Sequence, residues 1–425
     1  MFSSKTSKPT LSINSTTAVP LTNTAYQIRL ASSISELAEA WAVAAPQDNL
    51  FLQYDYLNAL EQYPPEDMTF KYAIIYRGGE AVAVLYHQIF HLNVEASMQQ
   101  NKEKEIEENP QNCIIKAFKN AIKRWFMKRA EFNLLICGNL LLTGEYGSYF
   151  HPSINEQTQA NILQHSLEFV QQVLDKEGTK VSVHLLKDYP IERCTTLKTQ
   201  LQQKTYHPFL MQPSMHLTIR PHWHSFEDYL GDMSSKYRVR AKRARKKGMA
   251  IMKKELSLEE IKTHETEIYA LYKNIADKAG FNAFLLHPQY FTQLKQHLGN
   301  HYQLTAYYID DQLVAFYTAI FNGEEMDAHF LGVEETYNRE HQVYLNILYD
   351  LVHLAIESQS KHIDFARTAL EIKSSVGAVS QDLLCFFRHR STLSSKVIQL
   401  VFDSLNPKEE WQPRQPFKID KASVG

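Results

Sequence analysis

Twice along the chain, a helical segment leads into a β-hairpin and then into alternating helix and strand, and this repeated order of elements most limits what the chain can fold into. In the first half, residues 26–31 read as a strand, Ser33–Ser35 ahead of Glu36 caps a helix running through Trp41, and a second helix holds Tyr56, Leu57 and Leu60. Tyr72–Tyr76, the pair Gly78–Gly79 and Ala81–Phe90 form a hairpin pattern, since paired glycines supply the positive φ of a two-residue turn. After a charged insertion (Gln99–Asn112), the pattern predicts a basic helix (Ile114–Lys128), a strand (Phe132–Cys137), a helix near 157–175 and a strand (Lys180–Leu185).

The second half repeats that order. Ser257 and Glu260 make a capping box for a helix with Ile261, Ile268, Tyr272 and Ile275 on one face, closed by Gly280. Strands follow at Tyr302–Ile309, Leu313–Phe321 and Glu324–Leu331, the last two joined by Asn322–Gly323, then a helix near 340–358, a strand at 361–366, a short helix from Thr368 and a strand at 383–388. Phe51–Leu52 precede Ala73 by about the distance that separates Phe284–Leu285 from Ala306, an echo of duplication. A β-meander followed by alternating helix and strand predicts, in each half, a mixed α/β (α+β) sheet covered by helices, not a doubly wound parallel sheet. The expected layout is a disordered tail at 1–25, domains at 26–218 and 219–395, and a C-terminal extension at 396–425.

With 425 residues, 44% of them apolar, the chain has the material for two substantial cores. Its 45 basic and 47 acidic side chains nearly cancel, so a polyanionic partner must be held by a local patch. Cys113, Cys137, Cys194 and Cys385 show no CxxC or CxxH spacing and read as reduced thiols of a cytoplasmic protein. No apolar run approaches the roughly 20 residues of a transmembrane helix.

The local patch is conspicuous: Lys236 to Lys247 holds eight Lys or Arg in twelve residues and no acid. At 100° per residue, Lys236, Arg240, Arg243 and Lys247 form one stripe, Arg238, Lys242 and Arg245 a second, and only Tyr237, Ala241 and Ala244 are left to dock. Such a helix repels itself and calls for phosphates, or for acids such as Glu255, Glu259 and Glu260. A second signal is Glu325–Leu331, where alternation puts Asp327 and His329 on one strand face, either lining a cleft as a proton-abstracting pair or forming the wet side of an edge strand. A third is His362–Glu371, a strand running into a helix capped by Thr368. There Arg367, Thr368 and Lys373 can hold an anion, or Asp364 and Arg367 can form a structural pair. His216, His222 and His224 lack a carboxylate or cysteine at ligand spacing, so no metal is expected. The glycines Gly138, Gly144 and Gly147 punctuate a loop after a strand, and no GxSxG, GxGxxG or Walker A sequence occurs.

Ser234–Arg238 leading to Arg243–Gly248, the hairpin Asp311–Ala315, and Ile363–Ala369 with Gly377–Ala378 resemble the FemAB-like branch of the GNAT superfamily of N-acyltransferases. The resemblance covers residues 26–395, most strongly Ser225–Ala378. It implies tandem GNAT-type domains with the active cleft in the second, and transfer of an acyl group from acyl-coenzyme A, or of an aminoacyl group from charged tRNA, to an amine such as that of a cell-envelope or peptidoglycan precursor. The family's coenzyme A loop should fall at Tyr337–Tyr344, but no glycine occurs there, which leaves both donors open. On this reading Asp327, Asp364 or His329 deprotonates the acceptor, Tyr344 protonates the leaving group, Arg367 and Lys373 orient charged substrate groups, and Lys236, Arg238, Arg240, Arg243 and Lys247 meet phosphates, those of tRNA among them. The rival reading is a non-catalytic phosphate- or RNA-binding protein built on degenerate GNAT folds, whose basic helix grips tRNA, anionic lipid or a polyphosphate.

Overall fold

The computed structural model describes residues 17–21, 24–93, 131–278, 284–390 and 411–418. The charged insertion 99–112, the basic helix expected at Ile114–Lys128, Cys113, Gly280 and most of the two terminal segments lie outside the described residues.

Among the described residues, sixteen strands form two mixed sheets. In the first half come β1 (Val19–Pro20), β2 (Gln27–Ala31), β3 (Met68–Arg77), β4 (Glu80–Asn93), β5 (Glu131–Cys137), β6 (Ser148–Phe150), β7 (Val183–Pro190) and β8 (His207–Leu210). The rest are β9 (Ser214–Thr218), β10 (Met252–Glu255), β11 (Tyr302–Ile309), β12 (Gln312–Asn322), β13 (Glu325–Val333), β14 (His362–Asp364), β15 (Val379–Gln381) and β16 (Leu383–His389). The first sheet runs β1-β2-β3-β4-β5-β7-β16-β8, with β6 also on β4, and the second runs β10-β11-β12-β13-β14-β9-β15. In each, an antiparallel meander ends in a parallel step: β5 to β7 across the helix Glu156–Lys176, and β13 to β14 across the helix Val343–Glu357. The turn signals behave as their chemistry requires, with Gly78, Gly79 and Gly323 at positive φ and the Ser33/Glu36 and Ser257/Glu260 capping boxes formed.

The sheets do not divide where the chain pattern does. Strand β9, expected at the end of the first domain, pairs between β14 and β15 of the second sheet, and β16, expected in the second domain, pairs between β7 and β8 of the first. Each sheet is completed by a strand from the other half. Helical and strand periodicity cannot foresee this, because a strand's face pattern does not say which sheet receives its edges.

The two units also share a core. Leu57, Leu60, Tyr72 and Phe90 of the first half belong to one buried apolar cluster with Ile268, Phe291, Leu304 and Phe316 of the second. The two echo segments meet there: the helix Tyr54–Gln62 follows Phe51–Leu52, the helix Tyr290–Leu298 follows Phe284–Leu285, and the Glu66 N–H donates to the Leu285 carbonyl at 3.1 Å. Separate clusters cover the outer faces, one under the helix Glu156–Lys176 and one under the helices Ser235–Lys247 and Val343–Glu357. A chain cut after residue 218 loses β16 from its first sheet and strands β9 without partners. The full chain is expected to melt in one cooperative step by calorimetry, whereas fragment 1–218 alone gives no cooperative transition.

Candidate active site

β14 stops at Asp364 while its parallel neighbour β13 runs on to Val333, so the two strands part just beyond the register pair Asp327–Asp364. The parting coincides with a bulge against β12, bridged by Thr318, whose hydroxyl accepts from the Phe330 N–H (2.9 Å) and donates to the Phe330 carbonyl (3.0 Å). Two carboxylates therefore sit side by side at the mouth of a splayed sheet. Asp364 lies opposite His216 of β9, so the exchanged strand delivers an imidazole to the pair.

The polar contacts are specific. Ser214 Oγ donates to Asp364 Oδ1 at 2.6 Å, and the Ala366 N–H donates to the same oxygen at 2.6 Å. His216 lies between two acids, Nδ1 3.7 Å from Glu325 Oε1 and Nε2 3.8 Å from Asp364 Oδ1. Asp327 Oδ2 is buried without a hydrogen-bond partner among the described residues. Burial, with the neighbouring charges of Asp364 and Glu325, holds the Asp327 carboxyl well above the usual range. Burial also raises Asp364, although His216, Ser214 and the Ala366 N–H oppose it. The imidazole of His216 beside it keeps Glu325 low against its burial. Burial alone would lower His216, but Glu325 and Asp364 outweigh it and hold the imidazole above its ordinary value. Adjacent carboxylates with unequal partners split their affinities, leaving Asp327 the better proton holder and Asp364 the better ionised base.

Asp364 and Glu325 open onto a cleft of about 940 Å³ between the two sheets. Its other walls come from Thr143–Tyr146, Pro190–Arg193, β9, and the chain from Val379 to Leu383 where β15 passes into β16. Gly147 folds the first wall into place: a Cβ there would lie 2.2 Å from the Gly138 nitrogen, so only glycine lets the loop lie flat on the end of β5. Glu145 at the loop tip is open to the cleft yet ringed by protein on its other sides, which pushes its carboxyl up to about 7.

The remaining expected site residues fall elsewhere. Arg367 does not pair with Asp364; it straddles Asp188 of β7 at 2.5 and 3.1 Å and donates from Nε to the Gln212 carbonyl at 2.7 Å, tying the second unit to the first. Asp188 also accepts from Lys187 and from the Gly144 N–H at 3.3 Å, and these cations hold its carboxyl well below the usual range despite burial. Thr368 is exposed and caps nothing; Ala369 precedes the short helix Leu370–Ser374 without a side-chain cap. Ala366, Thr368 and Ala369 all have positive φ (54°, 66° and 48°), a strain of order 1 kcal/mol each. Lys373 staples this strained loop, donating to the Arg367 carbonyl at 2.6 Å and the Ala366 carbonyl at 3.4 Å, and burial lowers its ammonium to about 7. His329 is spent on Tyr290, its Nε2 2.6 Å from the hydroxyl, and burial lowers it to about 3. Tyr344 packs on the outer core, its phenol pushed up to about 12 by burial, and is absent from the described cleft walls.

Residues 334–344 form no phosphate cradle of the usual kind. The helix Glu335–His341 fills the region, Gln342 makes the joint at φ 50°, and the Tyr344 N–H at the start of the next helix already donates to Asn338 Oδ1 at 3.0 Å. A pyrophosphate seated on that helix end would have to displace Asn338. Sequence reasoning missed His216, Ser214, Glu325 and Asp188 as site residues. For Glu325 the signal was present, since it shares the alternating face of Asp327; for the others it was not.

Residues 235–374 match the family model described as an acetyltransferase (GNAT) domain. A crystal structure of FemX superposes over 87% of this chain and 99% of its own, at 11% identity and a TM-score of 0.50. The chain has a tandem GNAT-like fold, shared with FemX. A tandem GNAT protein from the clavulanic acid biosynthesis pathway covers 86% of this chain and 99% of its own, at 10% identity and a TM-score of 0.46. No curated protein matches the sequence. The parted strands β13 and β14 belong to the GNAT domain that the family model spans, whereas His216 reaches it from outside that span.

Two outcomes are expected. Asp327 binds its proton more tightly folded than unfolded, so its contribution to stability is complete below the ordinary carboxylate range and is lost as pH rises through the raised folded value. Asp327→Asn should abolish that loss, making the variant more stable than wild type in urea at about pH 8 and less so at about pH 4. Arg367→Ala leaves the buried Asp188 with half its cationic support and should cost about 3 kcal/mol in the same measurement.

Proposed function

We propose that the chain is an N-acyltransferase that binds an amine in the acidic cleft and acylates it at the parting of β13 and β14. The observation carrying this reading is the carboxylate pair Asp327–Asp364, buried at the fork and opening through Asp364 onto the cleft. The cleft carries Glu145, Glu192, Glu325, Asp364 and Asp382 against Arg193 and Arg220, and Arg220 is already paired with Asp232 at 2.9 Å. A surplus of carboxylates suits a cationic amine and disfavours a polyanion at this spot.

In the proposed chemistry Glu325 and Asp364 receive the ammonium, and Glu145, whose affinity lies near neutrality, takes its first proton. The free amine nitrogen attacks the carbonyl carbon of an acyl ester or thioester. A C–N bond forms, and the second N–H proton passes to Asp364. The carbon–oxygen or carbon–sulfur bond to the leaving group breaks, and that group takes its proton from the His216 imidazolium, the form that its two acid neighbours favour. Asp327 keeps its own proton, so that only one of the two carboxyls at the fork, Asp364, is ionised. The crowded start of the helix Val343–Glu357 speaks for a donor held otherwise than by the usual pyrophosphate loop, and the choice between acyl-coenzyme A and aminoacyl-tRNA belongs to experiment.

Mass spectrometry of the protein incubated with acyl-coenzyme A species, charged tRNA, and amine acceptors including envelope precursors should reveal a new amide. On the substrate so found, Asp364→Asn is expected to lower kcat by about 100-fold or more with folding intact. Full turnover by both Asp364→Asn and His216→Gln would overturn the assignment.

A further inference from the structure

The basic helix Ser235–Lys247 is not neutralised by the protein. Arg245 is spent internally, donating to Asp350 at 2.6 Å and lying over the Phe226 ring. The acids that could have covered the rest are engaged elsewhere: Glu255 with Lys295, Glu259 with Lys262 and Glu260 with Lys254. Among the described residues, Lys236, Arg238, Arg240, Lys242, Arg243, Lys246 and Lys247 have no acid partner, and all but Arg238 are exposed. As the spacing predicts, Tyr237, Ala241 and Ala244 dock the helix on the second unit. None of its cations appears among the described residues of the cleft wall.

The outward face is not purely charged. Val239, 55% exposed, projects from the middle of the cationic arc, and the chain leaving the helix exposes Met249 (79%) and Met252 (62%). Met252 opens β10, an edge strand whose four residues are all exposed. Cations interleaved with protruding aliphatic side chains match the headgroup and upper acyl region of an anionic bilayer. Single-stranded RNA is served less well, because it calls for aromatic stacking platforms, and Tyr237, the helix's aromatic residue, is buried.

We infer that this face, the helix Ser235–Lys247 with Met249 and Met252, docks the protein on an anionic phospholipid surface. The inference stands independently of the acyl-transfer reading. It is peripheral docking: no helix among the described residues is long and apolar enough to cross a membrane.

The test is co-sedimentation of the full chain with vesicles of phosphatidylcholine alone or mixed with phosphatidylglycerol, at low and high salt. Binding is expected to the mixed vesicles only, and to weaken at high salt. Arg243→Gln with Lys246→Gln should reduce partitioning about 25-fold, at about fivefold per cation. Met249→Ser with Met252→Ser should reduce it on the order of tenfold and leave tRNA binding unchanged. Should that pair be unstable by circular dichroism, Val239→Ser repeats the comparison. Failure to bind mixed vesicles at low salt overturns the inference. So does vesicle binding indifferent to the apolar substitutions and displaced by tRNA, which would make this an RNA surface.

Discussion

The buried carboxylate of Asp188 is the contact on which the cleft depends. It lies in β7 of the first sheet, receives both terminal nitrogens of Arg367 from the second unit, and accepts from the loop that carries Glu145 and Tyr146. Lys187 beside it reaches the Leu142 carbonyl of that loop at 2.8 Å, and the Cys385 thiol of the exchanged strand β16 donates to Asp188 Oδ1 at 3.3 Å. One anion thus ties together four pieces of backbone that form or flank the cleft. Breaking a buried pair leaves an uncompensated charge, which is why such a hub is costly to lose even if its formation contributes little net stability.

From that hub the geometry at the fork follows. Arg367 anchored on Asp188 and Lys373 bonded to two carbonyls hold the left-handed turn after β14, and the Ala366 N–H of that turn returns to Asp364. Backbone strain concentrated within four residues persists because three charged groups over-determine it. Its effect is to aim Asp364 at the side of Asp327, whose Oδ2 has no partner among the described residues, and two buried carboxyls so placed favour one proton on the pair over two bare charges. The cationic helix lies on the outer core, so the protein keeps its acidic and its basic chemistry on separate surfaces.

Much of this was legible in the residues. The repeated order of elements indicated two mixed sheets, the hairpin glycines and capping boxes stand where their chemistry placed them, and the docking face Tyr237, Ala241 and Ala244 was readable from helical spacing. Asp327 and Asp364 were singled out individually, and the sheet makes them neighbours. Other roles moved. Arg367 found Asp188 in place of Asp364, Thr368 caps no helix, Lys373 turned inward, and His329 was absorbed by Tyr290. Each of those outcomes depends on a partner on another element.

By itself, the sequence determined whatever covalent geometry and local periodicity control: which residues share a strand face, where turns form, and that a helix with eight cations and three docking positions must present its charge outward. Only the tertiary structure decided which strands complete which sheet, that His216 and Ser214 meet Asp364 across 148 and 150 residues of chain, and that Arg367 clamps Asp188 across 179. The physical reason is that a strand's pattern specifies its faces but not its edges. The reciprocal exchange of β9 and β16 is a choice of edges, and the cleft lies where those two exchanged strands cross between the sheets.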